Sequence, residues 1–216
     1  MSAVPLDTVV EPVIGWRGWY LRLTTSGPDL MPAGMGRDGW PRRAPMTARC
    51  SAGGPHQSPD PTCSCGLYAY RSERALRSSG AWFPVIGTVS LWGRIVEHER
   101  VWRAEHAYPH RLRLVCEECL RTRPGLQTRV PVVAGTTSTG SSVWCATHAP
   151  AALREAWPAR ELGSALLARY AVDPMPIGRI EETVGRRRKR RPWTNLDSVE
   201  TTTMRFEPPD IVRRLR

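Results

Sequence analysis

The spacing of the cysteines most constrains this chain, which has six of them in 216 residues. Two are separated by two residues after the strand-like run "RLRLV", and a Cys-x2-His pair follows after 25 further residues. Two close pairs joined by a loop can present four ligand atoms at tetrahedral corners, and zinc prefers thiolate and imidazole ligands in that geometry. The set is Cys116, Cys119, Cys145 and His148. The spacing predicts a structural zinc site; the alternatives are an iron–sulfur cluster, which the histidine disfavours, and four unrelated buried residues.

The remaining cysteines form a second pattern, C-x5-H-x6-C-x-C, in a segment rich in glycine and proline. The set is Cys50, His56, Cys63 and Cys65. A metal here would order the Gly- and Pro-rich run 24–50, which otherwise reads as a long loop. The alternative is that the two later cysteines only pack and that the histidine is solvated. Four ligands in each set leave no open coordination position, which is typical of structural rather than catalytic zinc.

The segments "PTCSCGLYAY" and "VIGTVSLWGRIVEHERVWRAEHAYPHRL" resemble a family of small actinobacterial proteins. That family carries the motifs Cys-x-Cys-Gly-[Ile/Leu]-Tyr-Ala and Leu-Trp-Gly-x-Val-x-His-Glu. The resemblance covers about Cys50 to Leu112, and Val101 stands where the family has a glycine in a turn. It implies family membership and no particular activity.

Alternation and composition predict the secondary structure. The run 13–23 and the run 81–99 have the aromatic and β-branched content of strands, and Gly87 and Gly93 indicate bulges or close backbone approach. Two further short strands are expected at 101–109 and 111–116, and a helix at 68–79. After Cys145 a helical pattern is interrupted at Pro158, and its apolar spacing predicts core packing by Leu162, Leu166, Leu167 and Tyr170.

These elements predict an α+β fold with a small mixed or antiparallel sheet, two structural zinc sites, C-terminal helices and a disordered basic tail. We expect a β-rich domain with the first zinc site at 1–110 and a zinc-ribbon or treble-clef-like element with helices at 111–172. In that element a knuckle follows a strand and the last ligands open a helix. A basic linker and docking tail would occupy 173–216. Trp16, Trp19, Trp82, Trp92 and Trp102 are expected in the core, whereas Trp40 and Trp193 are candidates for stacking or docking.

The charge is concentrated in that tail. The chain carries a formal net charge of +11, and residues 184–216 contain ten basic and four acidic residues, which gives +6. Six consecutive cations can neutralise phosphates and release counterions, so the partner expected is nucleic acid or a nucleoprotein complex. The run is Arg186, Arg187, Arg188, Lys189, Arg190 and Arg191. The alternative is a solvated, solubilising tail.

Two other functions are open. Residues 193–216 place apolar anchors between polar spacers, as in a peptide that folds onto a protein partner. The anchors are Trp193, Met204, Phe206, Ile211 and Leu215. The third candidate is a hydrolytic enzyme centred on His98, Glu99, Glu105 and His106. The alternative is that these residues only form ordinary cross-strand pairs with arginines. The absence of a basic, apolar leader and of a long apolar run predicts a cytoplasmic protein with reduced thiols.

Overall fold

The computed structural model describes residues 11–33, 38–54, 56–122, 130–137, 140–151, 153, 156–176 and 204–206. In chain order the elements are β1 (Val13–Thr24), β2 (Gly27–Pro32), β3 (Met46–Thr47), β4 (Leu67–Tyr70), α1 (Glu73–Arg77), β5 (Val85–Glu97), β6 (Val101–Leu114), α2 (Glu117–Thr122), β7 (Pro131–Thr137), β8 (Gly140–Cys145), β9 (Ala156–Pro158), α3 (Ala159–Tyr170), β10 (Asp173–Pro174) and β11 (Met204–Phe206). Within these residues the eleven strands belong to one sheet. All of its pairs are antiparallel except that of β10 with β6. The expected α+β fold is confirmed in this coarse form, a mostly antiparallel sheet with few helices.

The hairpin of β5 and β6 forms the centre of the sheet, and β1 pairs with the other edge of β5. Strand β5 is buried along most of its length because it has neighbours on both edges and its faces are covered. The register shifts between Thr88 and Val89 and again between Trp92 and Ile95, which confirms the expected irregularities. A Cβ on Gly87 would lie 2.0 Å from the carbonyl oxygen of Arg111, so the two strands can approach this closely only at a glycine.

Long-range pairing changes several elements from those expected. The run 24–50 is not simply a loop, because it contains β2, which forms a hairpin with β1, and β3, which pairs with β6. The helix expected at 68–79 is wrong in its first part: residues Leu67–Tyr70 form β4 on β6, and α1 begins only at Glu73. The two short strands expected after residue 100 are the single strand β6.

Helix α3 covers the sheet with its apolar side. Leu162, Leu166 and Tyr170 are buried and Leu167 packs at the margin, which confirms the predicted core positions. The Tyr170 hydroxyl accepts a hydrogen bond from the Leu30 backbone N–H at 3.0 Å and lies 3.2 Å from the carbonyl oxygen of Trp40. This contact ties the helix to β2.

A buried carboxylate adds an ionic link between α3 and β2. Asp29 accepts hydrogen bonds from Arg42 and Arg169, each with an N–O distance of 3.0 Å. Burial raises the pKa of Asp29, but these hydrogen bonds outweigh it and hold the pKa of this carboxyl below its usual value. The ionised form of Asp29 therefore stabilises the fold.

Two tryptophans differ from expectation. Trp40 is 2% exposed and lies edge-on against Trp19, with a distance of 5.8 Å between ring centroids, so it belongs to the core rather than to a docking surface. Trp82 is 45% exposed. Trp40 is held beside the sheet because its backbone N–H donates to the Leu30 carbonyl of β2 at 2.6 Å, whereas Trp82 precedes β5 and lies outside the strands.

The domain boundaries at 110 and 172 stay a prediction, although β6 continues through residue 110. Most of the tail lies outside the described residues. The described parts of the tail are residues 173–176, which contain β10 beside β6, and β11, whose backbone pairs with Gly93–Ile95 of β5. Among the described residues, no helix is long and apolar enough to cross a membrane.

Candidate metal centres

The C-terminal ligand set comes from two parts of the chain, the junction of β6 with α2 and the end of β8. Its members are Cys116, Cys119, Cys145 and His148. Cys116 follows β6, and Cys119 lies one turn later on α2, whose Leu120 N–H donates to the Cys116 carbonyl at 3.2 Å. Cys145 ends β8, and the chain then turns so that the His148 N–H donates to the Cys145 carbonyl at 3.0 Å. The predicted set is thus brought together by two tight turns.

The distances within this set match a tetrahedral site. The Cys119 and Cys145 sulfurs lie 3.8 Å apart, and His148 Nδ1 lies 3.4 Å from the Sγ atoms of Cys116, Cys119 and Cys145. With metal–sulfur bonds of about 2.3 Å and metal–nitrogen bonds of about 2.1 Å, tetrahedral coordination needs sulfur–sulfur edges of about 3.8 Å and sulfur–nitrogen edges of about 3.6 Å. The four ligand atoms can therefore hold one metal ion.

The three cysteines of this set are buried and none is in a disulfide. Burial raises the pKa of the Cys116 thiol to about 11, against the lowering effect of backbone hydrogen bonds at Cys145 and Cys119. A metal ion must displace this proton to bind the thiolate, so metal binding releases protons and weakens in acid.

Cys50, His56, Cys63 and Cys65, the N-terminal ligand set, also converge. The Cys50 and Cys63 sulfurs lie 3.8 Å apart, and the Cys65 sulfur lies 3.4 Å from His56 Nε2. All four ligand atoms lie within 4.8 Å of one another, and all four residues are half-buried. The less regular spacing in the sequence therefore closes into a second Cys3His group that can hold a metal ion.

Arg103, which sequence reasoning did not single out as a site residue, holds the loop of the N-terminal set. It lies on β6 and is fully buried. Its Nη1 donates to the carbonyl oxygens of Asp60 at 3.0 Å and Cys65 at 2.8 Å, and also to that of Cys63. Its Nε lies 2.8 Å from His98 Nε2. One guanidinium thus fixes the backbone on which two of the ligands stand.

Two further residues shape the end of this loop and the strand β4 that follows it. Gly66 has a φ of +128°, and a Cβ there would lie 3.0 Å from the Cβ atoms of both Arg103 and Pro59, so the residue after Cys65 must be glycine.

Buried Arg17 on β1 donates to the Tyr68 carbonyl and lies 5.0 Å from the ring centroid of Trp40. Burial lowers the pKa of Arg17 to about 10, against the raising effect of Tyr70. No local sequence pattern marks the two arginines, because their partners lie far away along the chain.

No protein-family model, curated protein or solved structure matches the chain. The resemblance to an actinobacterial family stays a prediction, and the functional interpretation rests on the ligand sets, charges and contacts of this chain.

The treble-clef expectation is wrong in one respect. The last ligands do not open a helix, because His148 lies at the end of a turn and α3 begins only at Ala159. Instead the first pair opens a helix, the short α2. Between the two ligand pairs, the hydroxyl- and glycine-rich part of the chain contributes to the paired strands β7 and β8.

The residues of the hydrolytic alternative do not gather into one group. His98 contacts Arg103 at the β5–β6 turn, while Glu99 is exposed there. Further along β6, Glu105 accepts from the Arg94 backbone N–H at 3.1 Å, and His106 lies against Trp92 with 5.7 Å between ring centroids. Burial, and then the charge of Arg103, lowers the pKa of His98. In the described part of the chain, only the two Cys3His sets bring three or more potential ligand atoms together.

The basic run 186–191 and the anchors Trp193, Ile211 and Leu215 lie outside the described residues. Met204 and Phe206 are described only through the backbone of β11. Their predicted roles are therefore proposals.

Proposed function

We propose that this protein is a non-enzymatic, cytoplasmic adaptor that is stabilised by two zinc ions and binds nucleic acid or a nucleoprotein complex through residues 186–191. The observation that carries the non-enzymatic part is that each ligand set is complete with four protein ligands. A four-coordinate ion enclosed in this way has no position left for a substrate or an activated water.

Zinc is proposed as the metal because of the donors. Three thiolates and one imidazole at these distances suit zinc, and hard cations such as magnesium prefer oxygen ligands. Elemental analysis should find close to two zinc ions per chain, and Cys119→Ser should remove one. A value near one in the wild-type protein would leave only one of the two sets as a zinc site, and a value near zero would refute both.

The nucleic-acid part rests on the six consecutive cations and the net charge of +11. Each phosphate contact on duplex DNA contributes about 0.9 to the slope of log affinity against log salt. Replacing Arg186, Arg187 and Arg188 by glutamine should therefore flatten the slope and weaken binding to all sequences alike.

The matched control replaces three other arginines of the same tail, Arg213, Arg214 and Arg216. If binding depends on the continuous run, this control should change the slope less, although it removes the same charge. Equal slopes for wild type and the first variant would refute the nucleic-acid proposal.

The second candidate, a protein-only adaptor using residues 193–216, is favoured by the pairing of β11 with β5, because a segment able to form an edge strand can also add to a partner's sheet. Apolar docking depends little on salt. Trp193→Ala and Phe206→Ala should then weaken capture of a protein partner and leave the salt slope of nucleic-acid binding unchanged.

A further inference from the structure

A cavity of about 540 Å³ is lined by residues of β1, of the segment between α1 and β5, of α2 and of β8, and none of the eight ligand residues is part of this lining. Two aromatic rings that are nearly half exposed line it, Tyr20 at 47% and Trp82 at 45%. Tyr20 is held in place by buried Phe83, with 5.2 Å between the ring centroids. Exposed aromatic rings beside a cavity provide faces on which a flat or cationic group can stack.

The charged groups of this cavity favour a cationic ligand. The described lining holds two carboxylates, Glu117 and Glu118, and one guanidinium, Arg121. Arg121 already pairs with Glu118, to which its Nε donates at 2.8 Å. Glu117 accepts a hydrogen bond from the Ser142 hydroxyl at 2.9 Å and, among the described residues, makes no ion pair. One carboxylate charge is thus left over beside the aromatic rings.

The protein already stacks arginine on tryptophan elsewhere. The guanidinium of Arg17 lies 5.0 Å from the ring centroid of Trp40, and that of Arg71 lies 4.6 Å from that of Trp102. No such contact is described for Trp82. An arginine side chain is therefore the group that best fits both the ring and the carboxylate.

The chain itself can supply that arginine. Pro176 is the last described residue before the basic run, and its carbonyl accepts a hydrogen bond from Arg113 Nη1 at 3.0 Å. Arg113 and Arg77 both donate to Glu73. Arg77 and Trp82 line the same small cavity, so Pro176 is linked to the neighbourhood of Trp82. Ten residue steps separate positions 176 and 186, a reach of up to about 33 Å.

The second anchor of this segment permits the same path. Strand β11 holds position 204 beside position 95 of β5, and Trp82 lies before the other end of β5. The distance along β5 from residue 85 to residue 95 is about 33 Å. Thirteen residue steps from 191 to 204 span up to about 43 Å, so the basic run can reach the cavity with β11 in place.

We propose that the cavity beside Trp82 and Glu117 binds an arginine side chain of the chain's own basic run, residues 186–191, and that nucleic acid competes with this cavity for the run. This inference rests on the proposed role of the run in nucleic-acid binding. Docking multiplies the apparent association constant for nucleic acid by the fraction of molecules in which the run is free.

The test uses the full chain and two measurements. The first is the rate at which brief trypsin treatment cuts after residues 186–190, measured by mass spectrometry; the bond after residue 191 precedes a proline and resists trypsin. The second is the affinity for a labelled DNA duplex by fluorescence anisotropy at low salt. Trp82→Ala and Glu117→Gln should speed cleavage and tighten DNA binding about three- to tenfold, as expected when release frees a run that is docked for about 70–90% of the time.

Glu161→Gln is the matched control, because Glu161 is exposed on α3 and its replacement changes the net charge by the same amount. It should behave as wild type. Zinc content is measured in each variant, since Glu117 adjoins Cys116; if Glu117→Gln loses metal, Trp82→Ala decides alone.

Unchanged cleavage in Trp82→Ala would overturn the inference. Weaker DNA binding in that variant would also overturn it, because the cavity would then contact nucleic acid directly. If the wild-type protein binds no DNA but cleavage is faster in both variants, the docking of the run in the cavity stands, whereas the competition and the proposed nucleic-acid function both fail.

Discussion

Replacing Arg103 by methionine should weaken the N-terminal metal site and leave the C-terminal one intact. Methionine keeps an unbranched apolar stem of similar length in the buried position of Arg103. It removes the donors to three carbonyl groups, those of Asp60, Cys63 and Cys65. The loop that carries two of the thiolates then loses its link to β6.

The magnitude follows from these three bonds. A typical hydrogen bond contributes about 1 kcal/mol net, and a buried acceptor left without a donor costs about 1–3 kcal/mol. The loop is half-buried, so water can reach part of it. Each of the three carbonyl groups then costs about 1 kcal/mol, the low end of the range, so the ordered conformation of the loop is destabilised by about 3 kcal/mol. Loss of a group that orients metal ligands typically lowers metal affinity about 10- to 100-fold.

The assay is zinc transfer to a chromogenic chelator, with the two sites assigned from Cys119→Ser, in which only the N-terminal set is complete. In Arg103→Met, zinc of the N-terminal set should transfer about 10- to 100-fold more readily, and that of the C-terminal set should behave as in wild type. Arg103→Lys, which keeps a cation and fewer donors, should fall between the two. Unchanged zinc transfer from the N-terminal set in Arg103→Met would refute the reasoning. If Arg103→Met loses both metals, the zinc transfer from Arg103→Lys is the deciding measurement.

Three further outcomes are expected. Asp29→Asn should lower the free energy of unfolding at neutral pH by about 1–3 kcal/mol, by loss of charged hydrogen bonds to residues such as Arg169. The pKa of Asp29 is depressed in the folded state, so its ionised form stabilises the protein above the unfolded-state pKa of about 3.9. This stabilisation is lost as the pH falls through the folded-state pKa. In urea titrations from pH 7 to pH 2.5, the free energy of unfolding should therefore fall less steeply with acid in the variant than in wild type. Gly87→Ala should destabilise by several kcal/mol, about 3 or more, since its Cβ would lie 2.0 Å from the Arg111 carbonyl oxygen, and a thermal midpoint equal to wild type would contradict the described register. A chelator that removes all metal should lower the thermal midpoint of the wild-type protein more than that of Cys119→Ser, which has one ligand set left to lose.

The two Cys3His sets that can hold a metal ion were predictable because their signal is local. Each set combines the right residue types at short spacings, and a turn of a few residues brings each close pair together whatever the rest of the fold does. The strands β1 and β5 and the buried side of α3 were predictable for a similar reason, since their periodicity is written in consecutive residues.

The expectations that proved wrong concern segments whose structure depends on contacts with residues far away in the sequence. Leu67–Tyr70 is a strand because β6 pairs with it, although its sequence merges into that of the following helix. Trp40 is buried because its segment folds over β1 against Trp19, whereas Trp82, in an equally apolar context, stays exposed. Such outcomes depend on which surfaces meet, and no window of sequence contains that information.

The sequence by itself determined the two ligand sets, the main strands and the concentration of charge at the C-terminal end. Only the tertiary structure decided that Arg103 holds the loop of the N-terminal ligand set, 38 to 43 residues away along the chain, and that Tyr20, Trp82 and Glu117 share one cavity. The physical reason is range: ligand geometry and periodicity act over a few residues, whereas a buried guanidinium or a cavity wall is defined by the neighbours that the whole sheet brings to it.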